Sequence, residues 1–207
     1  LWNQLMEFPS IQFGIEMAFK SLESENPFIL FPSDFTNSTQ SIVINGLVWM
    51  GEESFMKAQI EEKLAQGFKC IKLKIGAIDF QKELDLLAFI RKNFDAKTIE
   101  IRVDANGAFT EDLALDKLNQ LFGYQIHSIE QPIAKNHTDT MSELCKTSPI
   151  PIALDEELIG VFSLEEKEKL LQKIKPQYII LKPSFVGGFR GTKQWIELAE
   201  KYNVVWW

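Results

Sequence analysis

The feature that most constrains the fold is a repeated pair of elements, in which a short apolar strand is followed by a helix. From Ile42 the chain alternates β-branched runs with patterns of helical period, through six strand–helix pairs and the start of a seventh strand at Val204. Such alternation is typical of a parallel sheet. The predicted strands are 42–49, 69–75, 99–103, 128–130, 152–154 and 178–181.

The number of strand–helix units bears on the choice between two parallel-sheet architectures. It is too large for a small doubly wound sheet and too small for a complete eight-stranded barrel. The evenly sized units also lack the glycine-rich phosphate loop of many doubly wound sheets, and the tandem Gly187-Gly188 is only a weak signal. We therefore predict an α/β fold, a (β/α) barrel truncated near its seventh strand, with a doubly wound sheet as the alternative.

The second predicted strand alternates apolar residues with lysines. Ile71, Leu73 and Ile75 share one face, and Lys72 and Lys74 share the other. In a barrel one face of each strand packs under the helices and the other points inward. Because burying a bare ammonium group is costly, inward lysines need carboxylates, a metal site or a substrate anion nearby. The pattern therefore predicts a functional lysine pair.

The two ends of the sequence indicate a fragment. The chain starts at Leu1 rather than at Met and stops at Trp207, within the predicted seventh strand. Residues 1–40 are predicted to form a linker helix, beginning near Pro9, and a loop, whereas residues 41–207 form the partial barrel. An open barrel edge invites pairing with another chain, so we expect self-association into a homo-oligomer.

Charge and composition exclude several classes of function. The net charge is −7 and no basic run occurs, which argues against a nucleic-acid partner. No apolar stretch approaches the roughly 20 residues of a membrane span, and no signal peptide is recognisable. The only two cysteines are Cys70 and Cys145, so a reducing, cytoplasmic setting is expected. With only two histidines, a polyhistidine metal site is not expected.

Ionisable residues recur at or near the C-terminal ends of successive strands: Lys74, Asp104, Glu130, Asp155 and Lys182. They are separated by 30, 26, 25 and 27 residues, about one strand–helix pair each time. All five should therefore meet at one mouth of the barrel, where barrel enzymes carry out their chemistry. A single Asp at such a turn could equally be a helix N-cap, but five residues in consecutive units indicate a site.

The set predicts a reaction type. Three neighbouring carboxylates repel each other unless a cation lies between them, and ligation by oxygen alone favours Mg²⁺, with Mn²⁺ as a substitute. The lysines on strands two and six would face each other across this ion. A metal that holds a substrate carboxylate, with an amine on each side, can remove the adjacent proton and stabilise the enediolate that forms.

These motifs resemble the enolase superfamily. The Lys/Lys arrangement is similar to its muconate-lactonising subgroup, and the resemblance covers residues 9–207. It implies that the sequence lacks two parts of the family's pattern, the N-terminal capping domain and the last barrel strands. Residues 1–40 would then be the linker that follows the capping domain. The matching motifs are Lys-x-Lys (72–74), Val-Asp-Ala-Asn (103–106), Glu-Gln-Pro (130–132), Leu-Asp-Glu (154–156) and the strand-six lysine.

The resemblance implies a role for each residue of the set. Lys74 would be the base that removes the α-proton in a syn elimination of water from a cyclohexadiene carboxylate, and it would then protonate the leaving hydroxyl. Lys182 would stabilise the enediolate. Lys72 would support Lys74, since a neighbouring cation favours the neutral amine. The Mg²⁺ ligands would be Asp104, Glu130 and Asp155.

Four further residues have weaker assignments. Arg102 shares strand parity with the aspartate two residues on, so it should face inward, either to contact substrate or to pair with a barrel carboxylate. Asn106 and Glu156 would support the metal ligands from behind. Ser184 is a candidate for substrate contact.

Three functional hypotheses follow. The motifs at 46–51, 152–156 and 181–184 favour the lyase, a dehydratase that acts on a small-molecule carboxylate. In the first alternative, a dipeptide epimerase or N-acylamino acid racemase, both lysines act as bases on opposite faces of the substrate. The second alternative is an inactive barrel fragment that keeps the strand pattern without closing a site.

Overall fold

A computed structural model describes residues 2–207 as one parallel sheet with helices packed against it. Seven strands lie side by side in chain order, and every neighbouring pair is parallel. The strands are β1 (Gly46–Val48), β2 (Cys70–Lys74), β3 (Glu100–Asp104), β4 (Ser128–Glu130), β5 (Ile152–Leu154), β6 (Tyr178–Ile179) and β7 (Val205–Trp206). This sequential parallel order confirms the predicted partial barrel.

Helices connect the strands. They are α1 (Pro9–Glu23), α2 (Glu53–Ala65), α3 (Phe80–Asn93), α4 (Glu111–Phe122), α5 (Thr138–Thr147), α6 (Leu164–Ile174), α7 (Pro183–Val186) and α8 (Gly188–Lys201), with 3₁₀ turns at Trp2–Leu5 and Glu156–Leu158. Among residues 2–207, none of these helices has the length and apolar character needed to cross a bilayer.

The first strand is shorter than predicted. Residues 42–45 have no regular structure, and the side chains of Ile42, Val43 and Ile44 are exposed. The cause is the partner strand, because Gly46 pairs with Ile71 and β2 begins only one residue earlier. An apolar run becomes a strand only where a neighbour supplies hydrogen bonds, so the ladder ends there.

The register between strands fixes which side chains share a level. Lys74 pairs with Asp104, and Asp104 pairs with Glu130, so these three residues form one row across β2, β3 and β4. On the opposite face Ile71 and Leu73 are completely buried in the core. This parity confirms the predicted division of β2 into an apolar face and a lysine face.

The two outer strands each have one neighbour. Within residues 2–207, β1 pairs only with β2, and β7 pairs only with β6. Apolar side chains are exposed along both, including those of Leu47, Val205 and Trp206. Open strands of this kind are templates for pairing. The expected homo-oligomer stays a prediction.

The N-terminal helix is attached to the C-terminal end of the chain. The Ser10 hydroxyl in α1 donates to the carbonyl oxygen of Ser184, 2.9 Å away. The Glu16 carboxylate accepts the backbone N–H of Phe189 and, at 3.2 Å, that of Arg190. Glu16 therefore caps the first turn of α8 from a different helix, at the end where an anion is favourable. The division at residue 40 stays a prediction, although α1 packs directly on the barrel helices.

We expect Glu16→Ala to lower the free energy of unfolding by about 1 kcal/mol, the usual cost of losing a helix N-cap. Urea denaturation followed by circular dichroism measures the change. The matched control is Glu197→Ala, which removes an exposed carboxylate on α8 that lies 3.8 Å from the Lys193 ammonium. Its expected effect is below about 0.5 kcal/mol. Equal losses in the two variants would contradict the capping role.

Candidate active site

The structure brings the five predicted strand-end residues together. Lys74, Asp104 and Glu130 lie in one row, and the residues after β5 and β6 bring Asp155 and Lys182 beside it. Ion pairs link the set, since the Lys74 ammonium lies 2.6 Å from Asp104 Oδ2 and the Lys182 ammonium contacts Asp155 Oδ2. Lys182 Nζ is also 4.0 Å from Glu130 Oε1. The predicted convergence at one mouth is thus present in the geometry.

Lys72 lies beneath this row and bridges two of its carboxylates. Its ammonium is 3.0 Å from Asp104 Oδ2 and contacts Glu130 Oε2. Asp104 therefore receives both lysines of β2 on one oxygen. Of these residues only Lys182 is substantially exposed, with 41% of its side chain in contact with solvent.

The buried carboxylates differ in their protonation behaviour. Burial raises the pKa of Glu130, and the charge of Asp104 raises it further, to about 8. Burial would also raise the pKa of Asp104, but the charge of Lys72 and hydrogen bonds from Lys74 and Lys72 lower it overall. Burial lowers the pKa of Lys72, but the charges of Glu130 and Asp104 outweigh it and raise that pKa. Of these two carboxylates, Glu130 therefore takes up a proton more readily than Asp104.

The carboxylates are suited to a hard cation. Glu130 Oε1 is buried and has no hydrogen-bond partner among residues 2–207. A buried acceptor without a partner is costly, and a metal ion would satisfy it. Among residues 2–207 no three Asp, Glu, His or Cys side chains are grouped closely enough to hold a metal ion. Lys72 pairs with Asp104 Oδ2, and Lys182 pairs with Asp155 Oδ2. Residues 104, 130 and 155 as ligands therefore stay a prediction.

Asn106 and Glu156 form a link above the row. The Asn106 amide donates to Glu156 Oε1 at 2.8 Å, and its Oδ1 accepts from the Lys74 ammonium at 2.8 Å. The Asn106 backbone N–H donates to Asp104 Oδ1 at 3.1 Å. Asn106 adopts a positive φ of 44°, a left-handed conformation that Asn tolerates better than most residues. The predicted supporting role of both residues stays a prediction.

Gln131 is a positioning residue that sequence reasoning missed. It is completely buried, and its Oε1 accepts the backbone N–H groups of Asp155 and Glu157 at 3.2 Å each. Its Nε2 donates to the carbonyl of Ile133 and to a Glu157 oxygen. Gln131 thus ties the end of β4 to the end of β5 and fixes the backbone at Asp155. In the sequence, Gln131 could have been identified by its position directly after Glu130 in the Glu-Gln-Pro motif.

Arg102 and Ser184 have contacts outside the carboxylate row. Arg102 Nε lies 2.7 Å from Glu100 Oε1, and its guanidinium carbon lies 4.4 Å from the centre of the Trp207 ring. This is the ion pair that the sequence left as the alternative to substrate contact. At Ser184 the backbone carbonyl accepts from Ser10. Substrate contact by either residue stays a prediction.

Trp49 is a second residue that sequence reasoning did not assign to the site. It follows β1 at the same parity as Leu47, the register partner of Lys72, so it continues the row toward Lys74. Lys74 Nζ lies 5.7 Å from its ring centre, and the residue is 54% exposed. The Gln59 amide of α2 bonds both the N–H and the carbonyl of Trp49, at 3.0 and 2.9 Å. An aromatic face is therefore held beside the predicted base.

Comparisons with known proteins show which family and which relatives the chain resembles. Residues 55–207 match the family described as Enolase C-terminal domain-like. The chain is 52% identical to the o-succinylbenzoate synthase of Desulfotalea psychrophila over 200 residues, which make up 97% of this chain and 54% of the relative.

Solved structures agree with this match. The crystal structure of MenC from Desulfotalea psychrophila superposes with a TM-score of 0.89 at 50% identity, covering 97% of this chain and 55% of that one. Muconate cycloisomerase from Pseudomonas fluorescens gives a TM-score of 0.66 at 29% identity, covering 78% of this chain and 45% of that one. The chain thus spans about half the length of the proteins it matches.

Proposed function

The chain belongs to the Enolase C-terminal domain-like family, and from this premise we propose that it carries the catalytic barrel residues of an o-succinylbenzoate synthase of menaquinone biosynthesis. The observation that carries the proposal is a row of buried carboxylates with Lys74 at one side and Lys182 at the other. The 52% identity to a synthase favours this lyase over an epimerase or racemase of the same superfamily.

Asp104, Glu130 and Asp155 would hold one divalent cation, Mg²⁺ or in its place Mn²⁺. Support comes from ligands that are all oxygen and from Glu130 Oε1, which accepts no hydrogen bond among residues 2–207. When bound, the ion would polarise the carboxylate of a small-molecule substrate and so favour loss of the adjacent proton. Lys72, already paired with two of these carboxylates, would keep the site from accumulating negative charge.

The proton steps are assigned to Lys74. As a neutral amine it would take the proton next to the substrate carboxylate, and the C–H electron pair would move into the enediolate. The C–O bond would then break as Lys74 returns the proton to the leaving hydroxyl, releasing water. Lys182 would offset the enediolate charge throughout. Asn106 and Asp104 hold the Lys74 ammonium now, so they would also aim the amine.

The two cysteines are consistent with a reducing compartment, where disulfides are rare. Both cysteines are free, and burial raises the pKa of Cys70 and of Cys145 to about 12, which disfavours the thiolate at neutral pH. We propose a cytoplasmic enzyme whose partner is a small carboxylate rather than nucleic acid or a membrane.

The decisive experiment is a dehydration assay on the protein with the hydroxylated cyclohexadiene carboxylate. Turnover that requires Mg²⁺ and disappears with EDTA is the expected result. A parallel assay for α-proton exchange on dipeptides and N-acylamino acids distinguishes the epimerase. Exchange of the α-proton on those substrates, without dehydration, would favour the epimerase over the lyase. Inactivity in both assays, with the protein folded, would support the inactive barrel fragment.

We expect Trp49→Ala to lower kcat/KM for dehydration by about tenfold, because it removes an aromatic face beside Lys74. Trp49→Phe should retain most of the activity. The control is Phe122→Ala, which removes an aromatic side chain that is 56% exposed at the end of α4. Steady-state kinetics of the three variants tests this, and an equal loss in Phe122→Ala would assign the effect to general stability.

A further inference from the structure

A second group of cations lies outside the proposed active site, in a cavity between α1, α6 and α8. The cavity has a volume of about 240 Å³. One water occupies about 30 Å³ in the liquid, so a small ligand fits together with water. Lys167 of α6 and Arg190 of α8 both line it, and no Asp or Glu among residues 2–207 is part of its wall. Its wall thus carries two cationic side chains and no carboxylate among the described residues.

Of the two cationic residues in the cavity wall, Lys167 is unusual because it is almost completely buried. It is 1% exposed, and its ammonium donates to Gln194 Oε1 at 2.9 Å and to the Gly191 carbonyl at 3.3 Å. Both acceptors are neutral, and so is the Trp195 ring, whose centre lies 5.6 Å from the ammonium. A lysine is almost never fully buried without a paired charge, because neutral acceptors do not repay the loss of hydration. Burial and then the charge of Arg190 lower the pKa of Lys167 to about 8.

The Glu16 carboxylate, which α1 places at the start of α8, already accepts hydrogen bonds from that helix. Glu16 accepts the backbone N–H groups of Phe189 and Arg190 and so satisfies the helix end. Polar groups complete the cavity wall, with Ser163 from the start of α6 and Gln12 from α1. These groups can bond the remaining oxygens of a bound anion.

We propose that this cavity binds a small oxyanion, a phosphate or carboxylate group, between Lys167 and Arg190. The oxyanion would supply the counter-charge for the buried ammonium and form charge-assisted hydrogen bonds with both side chains. Val186 and Gly187 of the cavity wall end the short helix that begins directly after Lys182. A bound anion would therefore also brace the segment that carries Lys182. The site stands on its own residues and does not require the proposed dehydration.

Isothermal titration with sodium phosphate, against sodium chloride at matched ionic strength, tests the proposal. Lys167→Gln and Arg190→Gln should each weaken phosphate binding by at least about tenfold, since each removes a charged donor. The matched control is Lys193→Gln on α8, whose side chain is exposed and lies 3.8 Å from Glu197. It should leave phosphate affinity unchanged. Circular dichroism verifies folding, and Lys167→Met, which keeps the apolar stem, serves if Lys167→Gln unfolds.

A second titration with sodium acetate distinguishes the two sources of anion. Binding of both salts supports a general oxyanion site, and binding of phosphate alone supports a phosphoryl ligand. The absence of binding by either salt to the unmodified protein would overturn the proposal. So would phosphate affinity that is unchanged in both Lys167 and Arg190 variants, because any binding would then lie elsewhere, including the lysines of the active site.

Discussion

Lys74→Arg is expected to abolish dehydration, with a loss in kcat of about 10²- to 10⁴-fold, the range associated with a general base. Arginine keeps the positive charge and can still reach the Asp104 carboxylate that now pairs with Lys74. It stays protonated at any pH at which the protein is folded, so it cannot accept the α-proton. Single-turnover measurement of the dehydration rate, with Mg²⁺ affinity as a check on the site, provides the test.

Lys182→Arg is the matched comparison, because its proposed role is electrostatic. It should retain measurable activity, since the guanidinium can also offset enediolate charge beside Asp155. The partial exposure of Lys182 leaves room for the longer side chain. An inactive Lys182→Arg alongside an active Lys74→Arg would reverse the assignment and place the base after β6.

The second large effect concerns the metal. Asp104→Asn or Asp155→Asn should weaken Mg²⁺ binding by well over about tenfold, because each removes one anionic ligand of a hard cation. Secondary structure should remain intact, since both side chains face the barrel mouth. Isothermal titration with MgCl₂ measures the affinity.

Asp139→Asn is the control for the metal experiment. Asp139 is an exposed aspartate whose carboxylate pairs with Lys173 on the barrel surface, so its replacement should leave Mg²⁺ affinity unchanged. Unchanged affinity in Asp104→Asn and Asp155→Asn as well would show that the ion, if it binds, is held by other groups.

The fold was predictable where one strand face is apolar and the next strand lies one helix away. β2 met this condition, because alternation between Ile71 and Ile75 fixes its two faces whatever its neighbours are. The first strand did not, because residues 42–44 are as apolar as a strand but lie beyond the ladder that β2 provides. Pairing between strands is a tertiary property, and a single run of residues does not contain it.

The site was predictable for charged residues that recur at strand ends, and less so for residues that act through geometry. Lys74, Asp104 and Glu130 were recognisable because a buried charge needs a chemical reason. Gln131 and Trp49 are neutral, and their roles depend on which backbone groups they meet. Only the folded arrangement shows that Gln131 bonds two N–H groups after β5, or that Gln59 holds Trp49 beside a lysine.

The cap that Glu16 places on α8 also has a consequence for the order of folding. It joins residues 173 positions apart, and every strand from β1 to β6 lies between them. Closing so long a loop before the sheet exists would cost chain entropy without compensating contacts. We therefore expect α1 to dock late, after the strands have assembled. Its amide protons should exchange with deuterated solvent through openings of lower free energy than those that release β2 and β3.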